Sequence, residues 1–226
     1  MEQKIAKKVT GAMLKFDHPL FDFRSKEAKE KVVWVCDFLK PYVKKDQLLV
    51  DIGCGTGKQS FAAEELGINV VGVDCSKEAI EFANRIKKEI NSKCHFVVCD
   101  YVKMPFKKEI FDVAIFPKNI VECSYKEIEK LNLEVRRVLK KEGIFVVTME
   151  DGIKRIILDK SVNVYNYNRK TGKFEGKIIL PNKKQYSYPT YFWTIPFAKQ
   201  IFSRDFKLTK EIKIDKDFSA LVFCKK

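Results

Sequence analysis

Residues 50–57 read Val50-Asp-Ile-Gly-Cys-Gly-Thr-Gly57, an apolar run that meets an acidic residue and then breaks into alternating glycines. Just before them Gln47-Leu-Leu-Val-Asp-Ile52 has the length and composition of a buried strand. Just after them Lys58-Gln-Ser-Phe-Ala-Ala-Glu-Glu-Leu66 has helical apolar spacing and stops at Gly67. The order is strand, glycine turn, helix. Glycines at such a junction let the backbone turn tightly and approach a ligand lying at the carboxyl ends of the strands.

Outward from this point the same alternation repeats. Asn69-Val-Val-Gly-Val-Asp74 reads as a second buried strand, and Ser76 caps a helix that runs to about Asn91 with Glu78 in its first turn. Cys94-His-Phe-Val-Val-Cys99 and Phe111-Asp-Val-Ala-Ile-Phe116 are a third and a fourth strand. A charged helix over 127–141, ended by Gly143, leads to a fifth strand, Ile144-Phe-Val-Val-Thr148. Upstream, apolar residues at Ala28, Val32, Val35, Phe38 and Leu39 predict an amphipathic helix over 26–39, ended by Pro41. Apolar strands alternating with helices indicate a parallel sheet covered on both faces.

After Asp151 the pattern changes. Val162-Asn-Val-Tyr-Asn-Tyr-Asn168 alternates, a turn follows, and the stretch Lys173 to Leu180 completes what reads as a β-hairpin. Pro196 to Phe202 predicts a short helix. Phe206 to Ile214 and Ser219 to Cys224 predict two closing strands, antiparallel because their connection is short. The expected fold is therefore α/β: a Rossmann-like doubly wound sheet of seven strands, mostly parallel with an antiparallel C-terminal strand, plus a β-hairpin insertion after strand five. One domain spans 1–226. Within it, 1–45 are N-terminal cap helices, 46–150 the ligand-binding core, 151–195 an inserted lid and 196–226 the closing helix and strands.

Composition agrees with one compact domain: 226 residues, 46% hydrophobic and 33% charged, with 10 Gly and 7 Pro. A chain of this length buries roughly 70% of its unfolded surface and needs neither disulfides nor structural metal. The seven cysteines are scattered, include no Cys-x-x-Cys pair and have only His18 and His95 to join them, so no metal is expected and a reducing compartment is. The N-terminus lacks the apolar core of a signal peptide, and no run approaches the roughly 18 apolar residues of a membrane span. These features predict a cytoplasmic protein. Residues 153–226 carry 17 basic and 6 acidic side chains, a net +11, against +3 for the remainder. That excess is either a surface for phosphate-rich partners or a set of solvated lysine faces; lysine outnumbers arginine there, which favours the latter.

Asp74 follows Gly53 by 21 residues, the distance at which a carboxylate reaches the hydroxyls of a bound ribose. Asp100, followed by Tyr101, ends the third strand, so three successive strands present a carboxylate at one edge. The glycine spacing departs from the dinucleotide pattern Gly-x-Gly-x-x-Gly, since the third glycine arrives one residue early. A tight strand-to-helix turn and a nicotinamide or flavin dinucleotide site remain open on spacing alone.

Taken together, Asp51-Ile-Gly-Cys-Gly-Thr-Gly57, Asp74, Asp100-Tyr101 and the Phe111-Asp-Val-Ala-Ile strand resemble the class I S-adenosylmethionine-dependent methyltransferases, over about residues 30–150. The resemblance implies that S-adenosyl-L-methionine binds here and leaves as S-adenosyl-L-homocysteine. It implies that Gly53, Cys54, Gly55 and Gly57 pack against the methionine part, with Asp51 orienting the loop or the amino group. Asp74 would hold the ribose, Cys75 would lie under the adenine, Asp100 would bond its exocyclic amine and Tyr101 would sit beside the ring. Phe116 and Pro117 would wall the site.

Methyl transfer depends mainly on positioning, and a dedicated base is optional; no catalytic residue is assigned. Many methyltransferases of nucleobase or amide nitrogen resemble Asp/Asn-Pro-Pro-Tyr/Phe after strand four, where this chain has Phe116-Pro-Lys-Asn119, a departure that disfavours nucleobase amines. Asn119 and Glu122 are candidate acceptor contacts, as are Tyr188, Tyr191 and Trp193 in the aromatic stretch after the hairpin. Helix capping for the first two, and packing for the aromatic three, are the competing roles. Aromatic insertions after strand five close over small acceptors in similar enzymes, so the expected acceptor is a small-molecule nitrogen or oxygen. An RNA methyltransferase using the basic last third and a non-catalytic cofactor-binding module are the alternatives.

Overall fold

The computed structural model describes residues 22–26, 29, 32–117, 123–150, 165–168, 173–179, 185–191, 193–214 and 218–226. The chain-order elements are α1 (Val33–Leu39), β1 (Leu48–Ile52), α2 (Lys58–Glu64), β2 (Asn69–Asp74), α3 (Lys77–Glu89), β3 (His95–Val98), β4 (Phe111–Pro117) and α4 (Tyr125–Val138). They are followed by β5 (Leu139–Glu150), β6 (Tyr165–Asn168), β7 (Lys173–Ile179), β8 (Gln185–Tyr191), α5 (Ile195–Phe202), β9 (Phe206–Lys213) and β10 (Phe218–Lys225). Seven strands form one sheet in the order β3-β2-β1-β4-β5-β10-β9. Strands β1 to β5 run parallel, and β10 is antiparallel to both its neighbours.

Period-two alternation sends successive side chains to opposite faces of this sheet. Val50, Ala114, Phe116, Phe145, Val147, Leu221 and Phe223 pack with α4 and α5 in one buried layer. Leu49, Val113, Ile115, Val146, Ala220 and Val222 pack with α1, α2 and α3 in the other. The helices supply complementary stripes: Ile128, Leu131, Val135 and Val138 on α4, at three- and four-residue spacing, are all fully buried. Ser76 caps α3 through its hydroxyl on the Ala79 amide, and Ser124 with Glu127 forms a capping box at the start of α4.

A second sheet holds β6, β7 and β8, with both pairings antiparallel. The stretch read as an aromatic segment after a hairpin is thus a strand of its own, and Pro189 is accommodated because β8 is an edge. Among the described residues no helix is long and apolar enough to cross a membrane.

Two element boundaries differ from the sequence reading. The stretch expected to be helical over 26–39 is interrupted at Val32, where the amides of Val32 and Val35 bond three residues back, and α1 begins at Val33. The helix expected to reach residue 141 ends at Val138, because Leu139 turns extended and pairs with Phe111. The register then jumps to Ile144 opposite Val113, leaving residues 140–143 looped out of the ladder. Gly143 closes that excursion: a Cβ there would lie 2.9 Å from the Lys140 carbonyl and 3.2 Å from that of Asp112. It permits a close backbone approach inside a strand instead of ending a helix.

Candidate functional site

The glycine turn leaves β1 at the carboxyl edge of the sheet. The amides of Gly53 and Cys54 both donate to the Val73 carbonyl, at 2.8 and 3.0 Å, which locks the loop onto the end of β2. Gly57 has φ +83°, and a Cβ on it would fall 2.6 Å from the Phe96 ring. Gly55 has φ +55°, yet a Cβ there meets nothing within 4 Å. The two glycines therefore serve different ends: Gly57 lets α2 close against Phe96, and Gly55 keeps a left-handed turn beneath open space.

Asp51 and Asp74 organise this loop from below. Asp74 Oδ2 accepts the Gly55 amide at 2.8 Å, and its Oδ1 accepts the Ser76 amide at 2.8 Å. Asp51 is fully buried; its Oδ2 accepts the Ser60 hydroxyl at 2.7 Å, while its Oδ1 has no partner. Burial pushes the Asp51 carboxyl up to about 7, opposed by the Ser60 hydroxyl and assisted by the charge of Asp74. Burial also raises Asp74, against the amides of Ser76, Gly55 and Cys75. Ser60 was not singled out in the sequence; a polar residue in an otherwise apolar helix stripe, nine positions beyond an acidic strand end, is the signal that could have found it.

Asp100 and Tyr101 lie just beyond β3, which stops at Val98. The Cys99 amide donates to the Asp74 carbonyl at 2.9 Å, so the ends of β2 and β3 arrive together. Asp100 is exposed, with its Oδ1 on the Val102 amide at 2.9 Å. Tyr101 is half-buried, its hydroxyl 3.2 Å from the Cys123 sulfur and its ring centroid 6.1 Å from that of Phe116. Phe116 and Pro117 are buried at the end of β4, and Cys75 is half-buried beyond β2. Burial raises the Cys54 thiol and pushes that of Cys99 up to about 12, which leaves both as neutral packing thiols.

The expected acceptor residues divide. Asn119 and Glu122 lie outside the described residues, as do residues 1–21 with His18. Tyr188 stands opposite Gly176 in the β7–β8 register. Tyr191 and Trp193 are buried: their rings stack at 5.6 Å, Trp193 stacks on Phe197 at 4.2 Å, and its indole donates to the Cys123 carbonyl at 3.0 Å. They anchor the end of the small sheet to the core beside Cys123 and α5. Among the described residues no group of three or more His, Cys, Asp and Glu could hold a metal ion.

Three features at this end of the sheet suit a ligand carrying a positive charge. They are an unpartnered buried carboxylate oxygen, open space over a left-handed glycine, and further acids at adjacent strand ends. Comparison with known proteins points the same way. Residues 44–190 match the family model described as "Methyltransferase domain". The PH0226 protein of Pyrococcus horikoshii, a crystal structure, superposes with a TM-score of 0.82 at 26% identity, covering 92% of this chain and 96% of the other. The ubiquinone biosynthesis O-methyltransferase of Pelagibacter ubique is 37% identical over 114 residues, 50% of this chain and 46% of that one. The ribosomal protein L11 methyltransferase of Dictyoglomus thermophilum is 31% identical over 134 residues, 58% of this chain and 41% of the relative. The chain spans less than half the length of these two curated relatives.

Proposed function

From the premise that this chain belongs to the class I S-adenosylmethionine-dependent methyltransferases, we propose that it methylates a nitrogen or oxygen of a small-molecule acceptor. The open space over Gly55, beside the Asp74 carboxylate that holds the Gly55 amide, supports the cofactor site, and the aromatic insertion after β5, with Tyr191 and Trp193 stacked and buried at its end, carries the acceptor reading. Bound S-adenosylmethionine supplies an electrophilic methyl group on a sulfonium. Around it, Gly53, Cys54, Gly55 and Gly57 receive the methionine part, and Asp51 offers its unpartnered oxygen toward the amino group. Asp74 holds the ribose while Cys75, Asp100 and Tyr101 hold the adenine. Phe116 and Pro117 form an apolar wall that excludes water from the face where the acceptor arrives.

On the acceptor side the candidate contacts are Asn119, Glu122, Tyr188, Tyr191 and Trp193, the last two buried against the core. Residues 151–195 act as an inserted lid within one domain. Cys54, Cys75, Cys94, Cys99, Cys123 and Cys224 are thiols and not disulfides, which supports work in the reducing cytoplasm. Positioning then supplies most of the rate, and an acceptor that arrives with a lone pair needs no base.

The relatives named above act on a ribosomal protein and in ubiquinone biosynthesis, so the acceptor has to be read from this chain. The test is transfer of labelled methyl into an extract split into small-molecule, protein and RNA fractions, with Asp74→Ala as control. Label in the small-molecule fraction that disappears with Asp74→Ala is the expected result. Label confined to RNA or protein overturns the acceptor class and leaves the cofactor site standing. Loss of the Asp74 carboxylate should cost about 1–3 kcal/mol of cofactor affinity, because ribose hydroxyls and the Gly55 amide both lose an acceptor.

A further inference from the structure

The chain between β3 and β4 crosses the sheet without a helix. Residues 99–110 leave the end of edge strand β3 and return to the start of β4, three places along the order β3-β2-β1-β4, through turns alone. Such a connection has no ladder of its own to hold its shape. Two side chains of α4 supply one. Glu134 Oε1 accepts the Met104 amide at 2.6 Å. Arg137 donates from Nη1 to the Phe106 carbonyl at 2.7 Å and from Nη2 to the Met104 carbonyl at 3.0 Å. The same guanidinium is fixed by Glu134, through Nε at 2.8 Å and Nη2 at 2.7 Å.

The segment so gripped starts next to Asp100 and Tyr101. Val102 and Lys103 bond back to Asp100, and Met104, where the grip begins, is buried. At the other end the Glu109 and Ile110 amides donate to the Arg137 and Val138 carbonyls, and Phe106 packs edge-on against Phe111. Only the planar fork of an arginine can serve two carbonyls and a carboxylate at once; the ammonium of a lysine cannot span them.

We propose that Arg137 and Glu134 are positioning residues for adenine recognition, holding Asp100 and Tyr101 in register with the crevice by clamping Met104–Phe106 onto α4. This rests on the reading of Asp100 and Tyr101 as the adenine contacts. Neither residue of the clamp touches the cofactor, so its effect passes through the loop.

The test is calorimetric binding of S-adenosylhomocysteine and of its inosine counterpart, in which a carbonyl replaces the exocyclic amine. Wild type should prefer the adenine ligand by about tenfold or more, and Asp100→Ala should erase that preference. Arg137→Lys should weaken the adenine ligand by about tenfold and bring the preference close to one. Glu134→Gln keeps an acceptor for the Met104 amide but loosens the guanidinium; it should fall between, and it carries the test if Arg137→Lys does not fold. A variant that weakens both ligands equally, or neither, has a purely structural clamp and overturns the proposal while the adenine reading stands. A wild type without preference, or an Asp100→Ala protein that keeps it, removes the adenine reading itself and the proposal with it.

Discussion

A carboxylate that is fully buried with one oxygen unpaired must either keep its proton or acquire a cation. Asp51 is in that position, and among the described residues its neighbours Asp74, Cys54 and Cys94 are acids or thiols that bring it no positive charge. Its carboxyl is raised to about 7 from 3.8, so the native state holds a proton that the unfolded chain releases near pH 4. Between those values the unfolded state binds fewer protons, and stability therefore falls as pH rises from 4 to 7 and levels off above. Linkage caps the loss at about 4 kcal/mol. Asp51→Asn should flatten that part of the stability profile in urea unfolding at stepped pH; a slope that survives the substitution belongs to another group. A cofactor that delivers an ammonium to the same oxygen should bind more tightly as Asp51 ionises, so wild-type affinity for S-adenosylhomocysteine should climb between pH 6 and 8 more steeply than that of Asp51→Asn. Gly55 makes the complementary case by shape. A valine there would be β-branched at φ +55° and would project into the open space over the loop. Gly55→Val should fold with native circular dichroism and lose cofactor binding by at least tenfold, whereas binding at wild-type strength would show that the ligand does not lie over this glycine.

Elements were legible where the determining contacts are local. The apolar runs of β1, β2 and β4, the glycine turn and the Ser76 cap all sit within a few residues of what they control, and each is found where the spacing put it. Boundaries decided by distant partners were not legible. Leu139 leaves the helix because Phe111 is there to pair with it, and residues 140–143 loop out because the β4 ladder resumes at Ile144; neither partner can be read from the helix's own sequence. The same holds at the site. The three strand-end acids could be spaced by eye, but the Arg137 grip on Met104 and Phe106 reaches back more than thirty residues, to positions with no motif around them. Local devices remain the simplest to test. Ser124 bonds the Glu127 amide and receives Glu127 in return, so Ser124→Ala should cost about 1 kcal/mol in chemical unfolding. Because α4 also carries the clamp, the loss should lower stability while cofactor affinity at 25 °C stays within twofold; a large drop in affinity would mean that the start of the helix shapes the crevice too.

At the scale of the whole molecule, the sheet separates charge from chemistry. The acids of the crevice stand at the carboxyl ends of β1, β2 and β3, on one half of the order β3-β2-β1-β4-β5-β10-β9. Among the described residues of the basic last third, Lys207, Lys210 and Lys213 are exposed on β9, the edge strand at the opposite end. Neighbouring strands lie about 4.8 Å apart, so the four spacings from β1 to β9 put roughly 19 Å between that edge and the glycine turn. Lysines on an edge strand also have a sufficient role in keeping its unpaired backbone from joining another sheet. These edge lysines are part of the net charge of +14, and their place on solvent agrees with the solvated lysine faces that the excess of lysine over arginine favours. Replacing Lys207, Lys210 and Lys213 together by glutamine should leave methyl incorporation and cofactor affinity within twofold of wild type from 50 to 300 mM salt, and should instead make the protein more prone to associate in light scattering. If incorporation falls sharply and the wild-type activity is itself steeply salt-dependent, the edge is gripping a polyanionic acceptor, and the transferred methyl should then be sought in the RNA fraction.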